Sequence, residues 1–205
     1  MPETPIPETP TRGALRLQLR QKRLSLPDTL RESAARNLES RLANLECWQS
    51  ARVIAGYWPN DGEIDPLPLL RAVREAGRQV CLPVLAGGNT LHFREWLADA
   101  VLVKNRFGIP EPPATARALA VAELDIVLMP LVGWSRDGTR LGMGGGFYDR
   151  SLAGTHAAVR IGLGFDCQEV EALPRAHWDV PLDYVVTETG LYCCNPAHHQ
   201  AGGQA

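Results

Sequence analysis

The sequence predicts an α/β fold in which helices pack on a mostly parallel sheet, and three observations predict it. Apolar runs of strand length recur along the chain, at Ala51–Trp58, Gln79–Val84, Asp125–Pro130, Val159–Gly164 and Asp183–Thr187. Segments with helical apolar spacing stand before and between them, so that strand, helix, strand appears in order. The Asp125–Pro130 run is rich in β-branched and apolar side chains, as a central strand covered on both faces must be.

Each element has a local reason. Residues 1–11 alternate Pro with Glu and Thr and are expected to be a disordered lead-in. Arg12 to Leu26 carries Leu15, Leu19 and Leu26 at helical spacing, with Arg16, Arg20, Lys22 and Arg23 between them, which predicts a basic amphipathic helix. Pro27 and Asp28 break it and start a second helix to about Leu45, with Leu30, Ala34, Leu38 and Leu42 on one face, so the chain opens with a helical hairpin. The strand Ala51–Trp58 ends in a turn at Pro59–Gly62, and Asp65 to Ala76 reads as a helix that tolerates Pro66 and Pro68 in its first turn. A turn at Gly87–Asn89 separates the strand Gln79–Val84 from another at Thr90–Trp96, and the Pro-rich stretch Ile109–Pro113 is an irregular connection. After Asp125–Pro130 come Leu131–Trp134, a turn at Asp137–Gly138, a glycine loop, a helix from Phe147 to about Ala153, and the last two strands. Residues 12–195 are expected to form one domain and residues 196–205 a flexible tail.

Composition narrows the function. At 205 residues, with 45% hydrophobic and 21% charged side chains, the chain can build one sizeable core. Its 21 basic and 23 acidic side chains give a net charge of −2, so no cationic field gathers nucleic acid or anionic lipid, and the expected partners are small molecules. The apolar stretch Ile126–Trp134 is interrupted by Pro130 and too short to span a bilayer. The first residues lack the basic and apolar regions of a secretory signal. Cys47, Cys81, Cys167, Cys193 and Cys194 are an odd set without C-x-x-C, which reads as reduced thiols in the cytoplasm. His198 and His199 stand in a Gly-rich tail rather than at zinc-ligand spacing.

The segment with most chemistry is Arg140-Leu141-Gly142-Met143-Gly144-Gly145-Gly146-Phe147-Tyr148-Asp149-Arg150. Glycines let successive backbone amides turn toward an anion at separations a Cβ would block, and a helix beginning at Phe147 would aim its free amides at the same point. The order is neither a Walker A loop nor a dinucleotide fingerprint. A mobile surface loop is the other reading of such a tract. Arg12, Arg16 and Arg20 share one face of the first helix, either as a solvated face or as a guanidinium row that grips a polyphosphate. After the first strand, Trp58 can stack on a flat heterocycle that Glu63 hydrogen-bonds; the alternative is that Asp61-Gly62 makes a turn and Glu63 or Asp65 caps the next helix. Asp149, just past the glycines, can hold Mg²⁺ beside phosphate or simply favour a helix start. Asp179, in His177-Trp178-Asp179, is a further metal or nucleotide contact, while a catalytic triad there would lack a nucleophile elbow.

In these segments the chain resembles the 5-formyltetrahydrofolate cyclo-ligase family, also called 5,10-methenyltetrahydrofolate synthetase. The likeness runs from about Arg12 to Thr187 and rests on Leu15-Arg16, Asp61–Ile64, Asp125–Pro130, Arg140–Arg150 and His177–Thr187. It implies a three-layer α/β/α sandwich and ATP- and Mg²⁺-dependent closure of 5-formyltetrahydrofolate to 5,10-methenyltetrahydrofolate, with release of ADP and phosphate. A nucleotide- or sugar-phosphate-binding module without ligase activity is the alternative for the same scaffold. By the resemblance, Arg12, Arg16 and the backbone from Leu141 through Gly142, Met143, Gly144, Gly145 and Gly146 to Phe147 bind nucleotide. Arg140, Tyr148 and Arg150 act in catalysis, Asp149 and Asp179 serve Mg²⁺, and Trp58, Glu63, Phe147 and Tyr148 line the folate pocket. Many members have Lys at Arg12, Arg and Lys inside the glycine tract where this chain has Met143 and Gly145, and Tyr at Phe147. The cation meeting the transferred phosphoryl is therefore open among Arg140, Arg16 and Arg150, in that order of preference. The partners are a reduced folate and ATP, and the chain is expected to act as a monomer.

Overall fold

A computed structural model describes residues 11–155 and 158–195. The lead-in and the tail expected at the two ends lie outside the described residues, except Thr11, whose Oγ1 accepts from the Ala14 amide as N-cap of the first helix.

Helix α1 (Arg12–Leu24) buries Leu15 and Leu19 and stops two residues before Leu26, where Ser25 closes its last turn ahead of Pro27. Helix α2 (Asp28–Leu42) buries Ala34, Leu38 and Leu42. It ends short of Leu45, because Leu45 is the cap of a separate short helix, α3 (Glu46–Ser50), that buries Trp48. The two N-terminal helices turn to different neighbours: α2 packs on α4 (Leu67–Glu75), whereas α1 packs beside the Gly133–Trp134 segment and the turn Asp166–Gln168. Strand β1 keeps only Val53–Ala55 of its apolar run, since the Gly56 amide bonds Cys81 O and the chain then leaves the sheet as Tyr57-Trp58. At the start of α4, Asp65 Oδ1 accepts the Leu67 amide at 2.8 Å.

Strand β2 (Gln79–Ala86) continues through Pro83, which lies beyond the residues that pair with β1. Then follow β3 (Thr90–Glu95), a small ribbon of β4 (Val103–Lys104) and β5 (Pro110–Glu111) within the Pro-rich connection, and β6 (Ala118–Leu119). Strand β7 (Ile126–Pro130) leads into the ribbon β8 (Gly133–Trp134) and β9 (Arg140–Leu141). Helix α5 (Phe147–Leu152), β10 (Val159–Leu163), β11 (Tyr184–Val186) and β12 (Leu191–Cys193) complete the chain. The small ribbons and edge strands escape sequence pattern because two or three residues are too few to show a period.

The main sheet has the order β12-β11-β10-β7-β1-β2-β3-β6. Its five central strands are parallel, and β12, β3 and β6 join antiparallel at the edges. Alternate residues of β7 feed two cores. Ile126 and Leu128 meet α2, α3 and α4 residues such as Leu38, Trp48 and Leu70, while Val127 and Met129 meet Leu152 of α5, Trp134 and Leu182. A third cluster joins Leu15 and Leu19 of α1 to Val132, Leu141 and Leu173. That cluster seats the basic helix against the glycine loop. No helix among the described residues is long and apolar enough to cross a membrane.

Candidate active site

A cavity of about 1200 Å³ opens where β1 and β7 end. Tyr57-Trp58 run out of β1 into its wall and Pro130–Val132 run out of β7, which is where an open parallel sheet leaves room for a ligand. The glycine loop with α5, the start of α1 and the segment from Arg175 to Pro181 close the other sides.

One half of the cavity gathers the glycine loop with Arg12, Arg16 and Arg140. Gly144 and Gly146 sit at φ +98° and +65°, conformations that a Cβ disfavours, and the amides of Gly142 to Gly146 donate no hydrogen bond within the described residues. Arg16 crosses from α1 to donate Nε to Gly142 O at 2.8 Å, and neither of its terminal nitrogens has a partner among the described residues. A Cβ on Gly144 would stand 3.3 Å from the Arg16 guanidinium carbon, a tight contact that the glycine avoids. Burial and the neighbouring Arg12 charge both pull the Arg16 pKa below the usual arginine value. An anion is the partner that would relieve both. Helix α5 is only six residues long, so the loop amides and arginines, more than a helix dipole, set the charge preference here.

Arg140 is buried, with Nη2 on Asp149 Oδ1 at 2.7 Å and its guanidinium carbon 5.7 Å from the Tyr148 ring centre. Its Nε has no partner among the described residues. Arg12 donates Nη1 to Asp179 Oδ2 at 2.9 Å, and that oxygen also takes the Ala176 amide. Among the described residues each carboxylate therefore has one oxygen engaged and one without a partner: Asp149 Oδ2 and Asp179 Oδ1. Both residues line the cavity, and oxygens of this kind are what a hard cation takes. Arg150 is exposed and braces the loop, donating Nη1 to Gly145 O at 2.6 Å.

The other half is apolar and aromatic. Trp58 meets Trp96 edge to face at 6.2 Å, and Phe147 meets Phe107 edge to face at 6.3 Å. Tyr57, buried, donates its hydroxyl to Ile64 O at 2.7 Å and so closes the loop that carries Glu63. Glu63 accepts the Asn60 amide at 3.0 Å on Oε2, while Oε1 has no partner among the described residues. Burial pushes its pKa up to about 7. Burial and the nearby Glu63 charge also raise the Tyr148 hydroxyl, which stays a neutral donor.

Of the residues expected in the site on sequence grounds, all but Leu141 and Arg20 line this one cavity, and Leu141 supports the loop from the third core cluster. Arg20 does not join Arg12 and Arg16: it turns away to Asp61, because the helix carries it past the cavity rim. Met143 is exposed at the cavity wall. Tyr57, Asn105, Phe107 and Arg175 enter the wall as well, and only Tyr57, adjacent to Trp58 at a strand end, carried a local signal.

Residues 8–188 match the profile of the 5-formyltetrahydrofolate cyclo-ligase family. The 5-formyltetrahydrofolate cyclo-ligase of Haemophilus influenzae is 38% identical over 179 residues, covering 85% of this chain and 96% of that one. The Escherichia coli K12 protein of the same name is 37% identical over 180 residues, covering 85% and 98%. The NMR structure of Aquifex aeolicus 5,10-methenyltetrahydrofolate synthetase superposes with a TM-score of 0.79 at 29% identity, over 95% of each chain. With the glycine loop, the arginines and the acid-lined aromatic pocket in one cavity, and with relatives matched over nearly their full length, the chain belongs to the 5-formyltetrahydrofolate cyclo-ligase family.

Proposed function

We infer that this cavity is where the chain works as a 5-formyltetrahydrofolate cyclo-ligase, using ATP to make 5,10-methenyltetrahydrofolate. One observation carries the assignment of parts: five unbonded loop amides and the open end of Arg16 share a cavity with Glu63 and Trp58. The amides of Gly142–Gly146 with Arg12 and Arg16 hold the nucleotide phosphates. Trp58, Phe147 and Tyr148 enclose the folate ring system, and Glu63 Oε1 accepts its ring N–H groups.

The formyl oxygen is a poor leaving group, so it first takes the γ-phosphoryl of ATP and ADP departs. N10 then attacks the formyl carbon, its proton leaves, and the carbon–oxygen bond breaks to release phosphate. No protein nucleophile is required. The chain's part is to align the two substrates and offset the migrating charge. Arg16, whose terminal nitrogens are unengaged, and Arg140, held by Asp149, are the cations for that charge, with Arg16 now the stronger candidate. Arg150 serves by keeping Gly145 in position. The unpaired oxygens of Asp149 and Asp179 fit Mg²⁺, which when bound would neutralise phosphate charge.

Purified chain mixed with ATP, Mg²⁺ and 5-formyltetrahydrofolate is expected to form the absorbing methenyl product with one ADP per turnover. Nucleotide binding without product would favour the non-catalytic module and reject the ligase. Residues 12–195 are proposed to act as one domain, a monomer; the cavity draws walls from segments between Arg12 and Pro181. Five unbridged cysteines support a reducing compartment, proposed as the cytoplasm, which export of a tagged chain would refute.

A further inference from the structure

Behind the cavity wall, Arg20, Arg23 and Asp61 form an ion cluster between α1 and the loop after β1. Arg20 sets Nε at 2.7 Å and Nη2 at 3.0 Å against the two oxygens of Asp61, and Arg23 donates Nη2 to the same carboxylate. Arg23 is fully buried, and its Nη1 donates to Leu131 O at 3.0 Å, just past the end of β7. The three segments so joined each supply cavity wall: α1 gives Arg12 and Arg16, the loop gives Trp58 and Glu63, and the exit of β7 gives Leu131 and Val132. None of the three cluster residues lines the cavity itself.

The loop is bent to make this contact. Asp61, a residue with a side chain, holds φ +53°, followed by Gly62 at +74°. A Cβ on Gly62 would come within 3.1 Å of Leu24 Cδ2, so the turn lies directly on α1. An unfavourable backbone conformation persists only where surrounding contacts over-determine it, and here two arginines on one carboxylate do so.

We propose that Asp61 is a positioning residue: clamped by Arg20 and Arg23, it locks α1 to the loop that bears Glu63, so that filling either half of the cavity improves binding in the other. The proposal rests on the assignment of nucleotide to the α1 side and folate to the Glu63 side. An anion drawn onto Arg12 and Arg16 fixes α1, and the clamp passes that fixation to the loop, with the reciprocity that linkage requires. The cluster also reaches Glu63 electrostatically. Among the groups that face it, namely Arg23, Asp61, Tyr57 and Tyr148, the Asp61 charge raises its pKa and the Arg23 charge lowers it.

Calorimetric titration of 5-formyltetrahydrofolate into the full chain, with and without a non-hydrolysable ATP analogue and Mg²⁺, tests this. In the unaltered chain the analogue is expected to tighten folate binding about fivefold or more, the lower end of ordinary site-to-site coupling. In Asp61→Asn each ligand still binds, the coupling factor falls to about one, and the pH dependence of folate binding shifts to lower pH because Arg23 is left unopposed beside Glu63. Arg20→Gln, at a side chain 38% exposed and so tolerant of replacement, is expected to give an intermediate factor and decides the matter if Asp61→Asn does not fold. Absence of coupling in the unaltered chain, or an unchanged factor in a folded variant, overturns the proposal while leaving the ligase assignment standing. A chain that binds no folate at all removes the assignment, and the clamp's role with it.

Discussion

Glu63 is the residue whose ionisation the fold most alters. In the unfolded chain it titrates near 4.5 and in the folded one at about 7, because burial disfavours its charge. Below the unfolded value both states hold the proton and the fold keeps its full stability. As pH rises through about 7 the unfolded state, ionised first, gains, and that stability is lost. Glu63→Gln is therefore expected to match the unaltered chain at low pH and to exceed it by up to about 3 kcal/mol at about pH 8, measured by urea unfolding. A constant difference across that range would mean that Glu63 does not titrate as argued. The same variant is expected to bind folate more weakly, since Gln cannot accept on both oxygens. Asp61, by contrast, is held below the usual carboxylate range by its hydrogen bond with Arg20, so it stays charged wherever Glu63 titrates.

At the scale of elements, the glycine loop and α1 act as a pair. Gly144 and Gly146 take positive φ, and a Cβ on Gly144 would stand 3.3 Å from the Arg16 guanidinium carbon and crowd it. Gly144→Ala is expected to raise KM for ATP about tenfold with a stability loss of about 1–2 kcal/mol, as a side chain enters a conformation it disfavours and displaces Arg16. The measurement is KM for each substrate together with thermal unfolding. An equal rise in KM for folate would argue that the loop serves both halves of the cavity. The ribbon of β4 and β5 is a second element that matters here, since Glu111 Oε1 takes both the Leu85 amide and Asn105 Nδ2, and Phe107 then leans on Phe147. Its two strands are too short for periodicity to reveal, yet it supplies one side of the aromatic half.

For the whole molecule, the sheet decides where the chemistry can be. Five parallel strands buried on both faces form its centre, and short antiparallel strands finish its edges. Edges of two and three residues offer little template for a second copy. Sedimentation equilibrium is accordingly expected to give the single-chain mass of 22.4 kDa, and fluorescence and circular dichroism to trace one coincident unfolding transition. A dimer mass, or separate transitions for α1 and the sheet, would reject the single-domain monomer.

The sequence by itself determined the α/β class, the order of the principal strands and helices, and the glycine loop with its flanking Arg140 and Asp149. Those features are written in local pattern: apolar runs, helical spacing, and a run of glycines opening into a helix. Glu63 and Trp58 were legible too, as polar and aromatic groups at a strand end. Only the tertiary structure decided which arginines of α1 reach the cavity. Helical spacing puts Arg12, Arg16 and Arg20 on one face, but the third core cluster of Leu15 and Leu19 with Val132 and Leu141 fixes where the helix crosses the rim. Arg16 therefore meets Gly142, and Arg20 meets Asp61. The clamp of Arg20 and Arg23 on Asp61 joins residues about forty positions apart in the chain, and no local pattern records a contact that exists only because distant segments pack together.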